Sequence, residues 1–348
     1  AHSPIAAAGD LPPFDSDEVL ALSRRERVSP LLHVGFESGR IAEEFPEAFR
    51  LACEADYYRS LRTNIVALKS GGRILEDLRC AGIDMAPING WSMVGGPLQF
   101  HTDPGARTLD LLEIIVRESQ WRAAEAVLLD LGYRPHANGE DGKAAVRRRC
   151  FSSGEGEEGP GVALHWSWEG SESPAGRDGV SGDRFLDGLC DTTHSGYHRP
   201  TRFALLASAA FRAARRDPGR WMGLDDIHRL VSSMPMDWAA LVTAARRWRV
   251  TAPVYAGLVT TREIFGTAIP RDVLERLAPG PVRRRLLHRS LATQWRARDA
   301  AQGTRAPHLL CAESWWELAR AAAHSAASAA PRRLVQTLRG GSPSAAHH

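Results

Sequence analysis

Apolar residues recur at three- and four-residue intervals along most of this chain and form unbroken runs in only a few short places. The first pattern marks amphipathic helices; the second marks strands buried on both faces. Helical spacing begins at Ser16-Asp17-Glu18, a cap and acidic first turn ahead of Val19, Leu20 and Leu22. Pro30 to Phe36 reads as a second short helix. From Glu47 to Cys80 the periodic positions are Phe49, Leu51, Ala55, Leu61, Ile65, Leu68, Ile74, Leu75 and Leu78. Two or more helices are expected there, interrupted near Gly71-Gly72.

Short apolar runs follow. Gly82 to Ile88 and Leu111 to Val116 read as strands, and Ser119 to Leu131 as a helix closed by Gly132. Ala144 to Phe151 and Val162 to Trp168 read as two more strands. From Thr201 helical patterns take over, at 203–215, 224–231, 237–248, 252–265, 271–277, 281–298 and 314–324. This order predicts an α+β fold, a small mixed sheet flanked by helices. Four parts are expected: an N-terminal helical region (1–80), an α/β core (81–170), a flexible connection rich in Gly, Ser, Asp and Pro (171–200), and a C-terminal helical domain (201–348).

Composition narrows the function classes. Hydrophobic content of 43% and charged content of 24% are ordinary for a soluble globular protein. The net charge of +3 supplies no global field that would argue for nucleic acid. Lys69 and Lys143 are the only lysines, so any lysine-dependent mechanism has two candidates. Cys53, Cys80, Cys150, Cys190 and Cys311 are scattered and odd in number, which fits a reducing cytoplasm rather than a disulfide framework. No apolar run approaches the roughly 18 residues of a membrane span, and the N-terminus lacks a signal-peptide layout. A cytoplasmic location is the expectation.

One residue interrupts the apolar run Leu111-Leu112-Glu113-Ile114-Ile115-Val116. A carboxylate in a core strand is costly unless it is paired, bound to metal or set at an open edge. The expected counterion for Glu113 is Arg107, just ahead of the strand. Asp110, three residues from Glu113, faces the other way on a regular strand and would join it only across a β-bulge. Cys190, His194 and His198 recur every four residues, a spacing that stacks zinc ligands on a helix. Gly196 and Pro200 argue for a solvated linker there instead.

The order of short motifs resembles the bacterial family of uncharacterised nucleotidyltransferases within the polymerase-beta-like superfamily. The matching pieces are Asn89-Gly90, Pro104-Gly105-Ala106-Arg107, Leu111 to Val116, Gly132-Tyr133, Ala163-Leu164-His165-Trp166, Asp226-Ile227 and Asp237-Trp238. The resemblance implies a nucleotide cleft touched by Asn89, Gly90, Ser92, Arg107, His165 and Trp166. It also implies Mg²⁺ and a nucleoside triphosphate as cofactors, with a small molecule or peptide as acceptor. Three strand carboxylates would hold two ions. Here the first position is Leu111, the second Glu113 and the third Ala163, while the expected lysine is Asn89. Glu113 and Asp110 are the candidates left for catalysis and metal. The favoured reading is therefore a degenerate member that uses the old cleft for binding or altered chemistry. The rivals are an active Mg²⁺-dependent nucleotidyltransferase and a helical protein-interaction platform.

Overall fold

The computed structural model describes residues 15–296, apart from 42–44, 96–99, 110, 137–147, 154–158, 169–179, 193–196 and 215–219. Three helices come first: α1 (Ser16–Arg25), α2 (Ser29–Glu37) and α3 (Glu47–Cys80). Asp15 rather than Ser16 caps α1, its carboxylate accepting from the Asp17 amide at 2.8 Å. α3 runs unbroken through Gly71, where an interruption was expected. A Cβ at Gly71 would meet the Trp91 indole nitrogen at 2.7 Å and Leu112 at 3.4 Å. This glycine lets the helix close on the sheet; it does not break the helix.

The core then adds β1 (Met85–Ile88), α4 (Asn89–Val94), β2 (Leu111–Val116), α5 (Trp121–Asp130), β3 (Arg134–Pro135), β4 (Arg148–Ser152) and β5 (Gly161–His165). They form one mixed sheet in the order β1-β2-β5-β4-β3. β2 and β5 run parallel and the other pairs antiparallel. A parallel pair needs a crossover, here α5 with β3 and β4. The α+β expectation holds. In the stretch expected as a connection lie α6 (Gly182–Leu189) and a hairpin of β6 (Cys190–Thr192) and β7 (His198–Pro200). The helical part follows as α7 (Arg202–Ala214), α8 (Arg220–Ser232), α9 (Trp238–Arg247), α10 (Thr251–Phe265), α11 (Arg271–Leu277) and α12 (Pro281–Arg296). Asp237 caps α9 by accepting from the Ala240 amide at 2.9 Å, and Gly266, at φ 62°, ends α10. The helix expected at 314–324 lies outside the described residues.

Both faces of β2 are covered, which explains its nearly continuous apolar run. Leu112, Ile114 and Val116 pack on Ile74, Leu75 and Leu78 of α3 and on Ala124 and Leu128 of α5. On the opposite face Ile115 joins Ala86 and Ile88 of β1 in a larger core built with α6 to α11. Each large aliphatic side chain withdrawn from water in these cores contributes about 1.5–3 kcal/mol. The cover on that second face thins toward the start of β2, where Leu111 is exposed and Glu113 half-buried. No helix among the described residues is long and apolar enough to cross a membrane.

Candidate functional site

Strand register puts Ile88, Glu113, Ala163 and Cys150 in one row across four strands, on the face turned to the C-terminal helices. The next row holds Ala86, Ile115, His165 and Arg148. Glu113, 16% exposed at its side chain, therefore emerges between apolar neighbours: Leu111 two residues earlier and Ala163 beside it. What meets its charge comes from elsewhere. The Arg212 guanidinium, on α7, lies 3.5 Å from Glu113 Oε2, and His165 Nε2 lies 3.8 Å from Oε1.

Arg107 is not the partner expected for Glu113. It turns away and is spent on Asp226 of α8: Nε and Nη2 donate to Oδ1 and Oδ2, both at 2.8 Å. His101 Nε2 lies 2.9 Å from the same Oδ1. All three side chains are buried, so the loop ahead of β2 is joined to α8 through an internal ionic cluster. Burial opposes the charge on Arg107, but Asp226 outweighs it and keeps the guanidinium pKa raised. Burial likewise disfavours the Asp226 carboxylate, yet Arg107 and His101 hold its pKa well below the usual range. For His101 burial wins over the attraction of Asp226, and its pKa is pushed down. Glu113 reaches Arg107 only as a longer-range attraction.

The turn ahead of this cluster accounts for three more expected residues. Asn89 takes φ 57°, a left-handed conformation that asparagine tolerates better than most residues, and starts α4. Gly90 lies so close to the Arg107 guanidinium that a Cβ would collide with it. The Ser92 hydroxyl donates to the Pro87 carbonyl at 2.5 Å. Asn89, Gly90 and Ser92 thus shape the β1–α4 corner. Trp166 stacks on Trp121 of α5, with ring centroids 4.6 Å apart, and joins the core on the other side of the sheet. The structure brings together Glu113 and His165 and separates Trp166 from them. Asp110 lies outside the described residues. Cys190 and His198 stand on a hairpin rather than a helix face, and His194 is outside the described residues. Arg148 and Arg149 leave β4 on opposite faces, as alternation predicts: Arg149 pairs with Glu125 of α5, and Arg148 stays on the Glu113 face.

Two contributors were not visible beforehand. Arg212 sits in an Arg-rich stretch with nothing local to mark it. Asn64 of α3 is fully buried: its amide nitrogen donates to the carbonyls of Pro104 and of Arg107 (2.6 Å), and its oxygen accepts from the Leu109 amide at 3.0 Å. It holds the loop that delivers Arg107 and β2. A polar residue on the buried line Cys53, Asp56, Ser60, Asn64, Ala67, Gly71 was the available signal.

The family described as uncharacterised nucleotidyltransferase matches residues 12–266. The chain belongs to that family. The match covers the sheet and the helices through α10, leaving α11 and α12 beyond it. No curated protein and no solved structure matches the chain.

Family membership raises a two-ion site, and the donor set can be tested against it. Divalent magnesium asks for several oxygen ligands around each ion. Glu113 is flanked on its face by Leu111 and Ala163, and its carboxylate has a guanidinium at 3.5 Å. No group of three or more His, Cys, Asp or Glu among the described residues could hold a metal ion. The described side chains do not fit a pair of magnesium ions.

Proposed function

We propose that this family member keeps the nucleotide cleft but has replaced two-metal nucleotidyl transfer by metal-free recognition of a phosphate-bearing ligand. The observation that carries the reading is the Arg212–Glu113 contact at 3.5 Å. A fixed cation from the helical part stands beside the carboxylate that a divalent ion would need. Leu111 and Ala163 supply no further oxygen. Arg148 reaches solvent from the same face, one row along, so two guanidinium groups border the cleft where phosphates would enter. Arginine suits that role because its planar fork grips phosphate oxygens in pairs. In this reading Glu113 is a charged neighbour of Arg212 and not a metal ligand.

Calorimetry with nucleoside triphosphates, with and without Mg²⁺, tests this. Binding is expected without metal and unchanged by adding it. Glu113→Gln removes a negative charge facing the phosphates and leaves Arg212 available, so affinity is expected to hold or rise about two- to tenfold. Arg212→Gln is expected to weaken binding about tenfold or more. Metal-dependent binding that disappears in Glu113→Gln, or nucleotidyl transfer to any acceptor, would refute the proposal.

A further inference from the structure

The net charge of +3 conceals a segregation along the chain. Residues 1–245 carry 27 basic and 35 acidic side chains, whereas residues 246–348 carry 17 basic and 6 acidic. An acidic body is therefore joined to a strongly basic C-terminal part. Much of that excess is exposed on α9, α11 and α12 and the turn after α9. Arg246 and Arg247 close α9, Arg249 lies in the turn to α10, Arg276 closes α11, and Arg284, Arg285 and Arg289 follow in α12; all are exposed.

Two hydrogen bonds link these elements to one another. Arg246 Nη2 donates to the Arg276 carbonyl at 3.0 Å, joining the ends of α9 and α11. Tyr255, near the start of α10, meets His288 of α12 at 2.9 Å, and Leu287 beside it is buried in the large core. Arg247 and Arg184 both lie over the Trp248 ring, 5.6 Å from its centroid. Between residues 246 and 296 the only carboxylates are Glu263, Asp272 and Glu275, and Glu275 is paired with Arg271 at 3.1 Å. Arginines therefore outnumber carboxylates along this stretch of the chain.

We propose that this basic surface binds the phosphate backbone of a nucleic-acid duplex. Clustered arginines displace condensed counterions from a duplex and grip its phosphates without reading sequence. Single strands are usually held by open aromatic faces on which bases stack. Trp248 is buried and already covered by Arg184 and Arg247, so it offers no such platform. The acidic body repels a polyanion and turns the molecule so that the basic surface arrives first. α11 and α12 lie beyond the family match, whereas Arg246, Arg247 and Arg249 lie within it.

Fluorescence anisotropy of the full chain with labelled RNA and DNA duplexes of about 24 base pairs, from about 50 to 200 mM salt, tests it. Micromolar binding to either duplex is expected, weakening steeply with salt. Arg276→Gln, Arg284→Gln and Arg285→Gln together are expected to cost about tenfold or more at low salt and to flatten the log–log salt slope by about 2 to 3. A control removing three exposed charges elsewhere (Arg40→Gln, Lys69→Gln, Arg134→Gln) is expected to bind as the unmodified protein. Matching melting curves show that both variants fold. Any one of four results overturns the proposal: no duplex binding at low salt, equal loss in both variants, tighter binding to a single strand, or preference for anionic phospholipid vesicles through exposed Val282 and Leu286.

Discussion

Replacing Arg107 by methionine keeps most of the stem volume and removes the guanidinium from a site where Arg107 and Asp226 are each 2% exposed. Asp226 then loses two hydrogen bonds of 2.8 Å and its charge partner, retaining only His101 at 2.9 Å. Removing one member of a buried pair costs roughly 3–5 kcal/mol, because the surviving charge is left uncompensated. The remaining His101 contact places Arg107→Met at the lower end, about 3 kcal/mol. The double variant Arg107→Met, Asp226→Leu removes both charges and exchanges the pair for apolar volume. It leaves His101 Nε2 without its acceptor, a penalty of about 1–3 kcal/mol. The double variant is therefore expected to be no less stable than Arg107→Met alone and far more stable than the two single losses added together. Urea denaturation followed by far-UV circular dichroism, fitted for midpoint and slope, measures all three variants. If Arg107→Met costs under about 1 kcal/mol, or the single costs simply add, the pair does not hold the loop ahead of β2 to α8 in the way described.

The same cluster gives a pH dependence. His101 has its pKa lowered by burial, so as pH falls below about 6.5 the unfolded chain takes up this proton before the folded one. Stability is then lost with decreasing pH at up to about 1.4 kcal/mol per unit, and His101→Gln, which can still donate to Asp226, is expected to flatten that part of the pH–stability profile. Gly90→Ala presses a methyl group on the Arg107 guanidinium and is expected to cost about 1–3 kcal/mol in thermal unfolding, with the penalty mostly relieved in an Arg107→Met background. Asn64→Ala leaves the Leu109 amide and two loop carbonyls unpaired inside the protein. It is expected to cost about 3 kcal/mol and to raise hydrogen exchange at Leu109, an effect absent if the loop is held by other contacts.

Local order was legible in the chain because it depends on neighbouring residues. Apolar spacing placed α2, α5, α9, α10 and α11 within a residue or two of their observed ends. The glycines at 132 and 266 and the Asp237 cap close or open helices through contacts a few residues long. The continuous run at Leu111 to Val116 announced a strand covered on both sides, and Glu113 announced a charge that something must answer. Which group answers it could not be read from the sequence. Arg107 was nearest along the chain, yet it faces Asp226, and Arg212 arrives from a helix far downstream. Gly71 was ambiguous for the same reason: as a helix residue it signals a break, but against Trp91 it signals close packing. Periodicity and capping are set by intervals of two to four residues, so the sequence alone determined them. Ion-pair partners are set by how sheet and helices pack, so only the tertiary structure decided them.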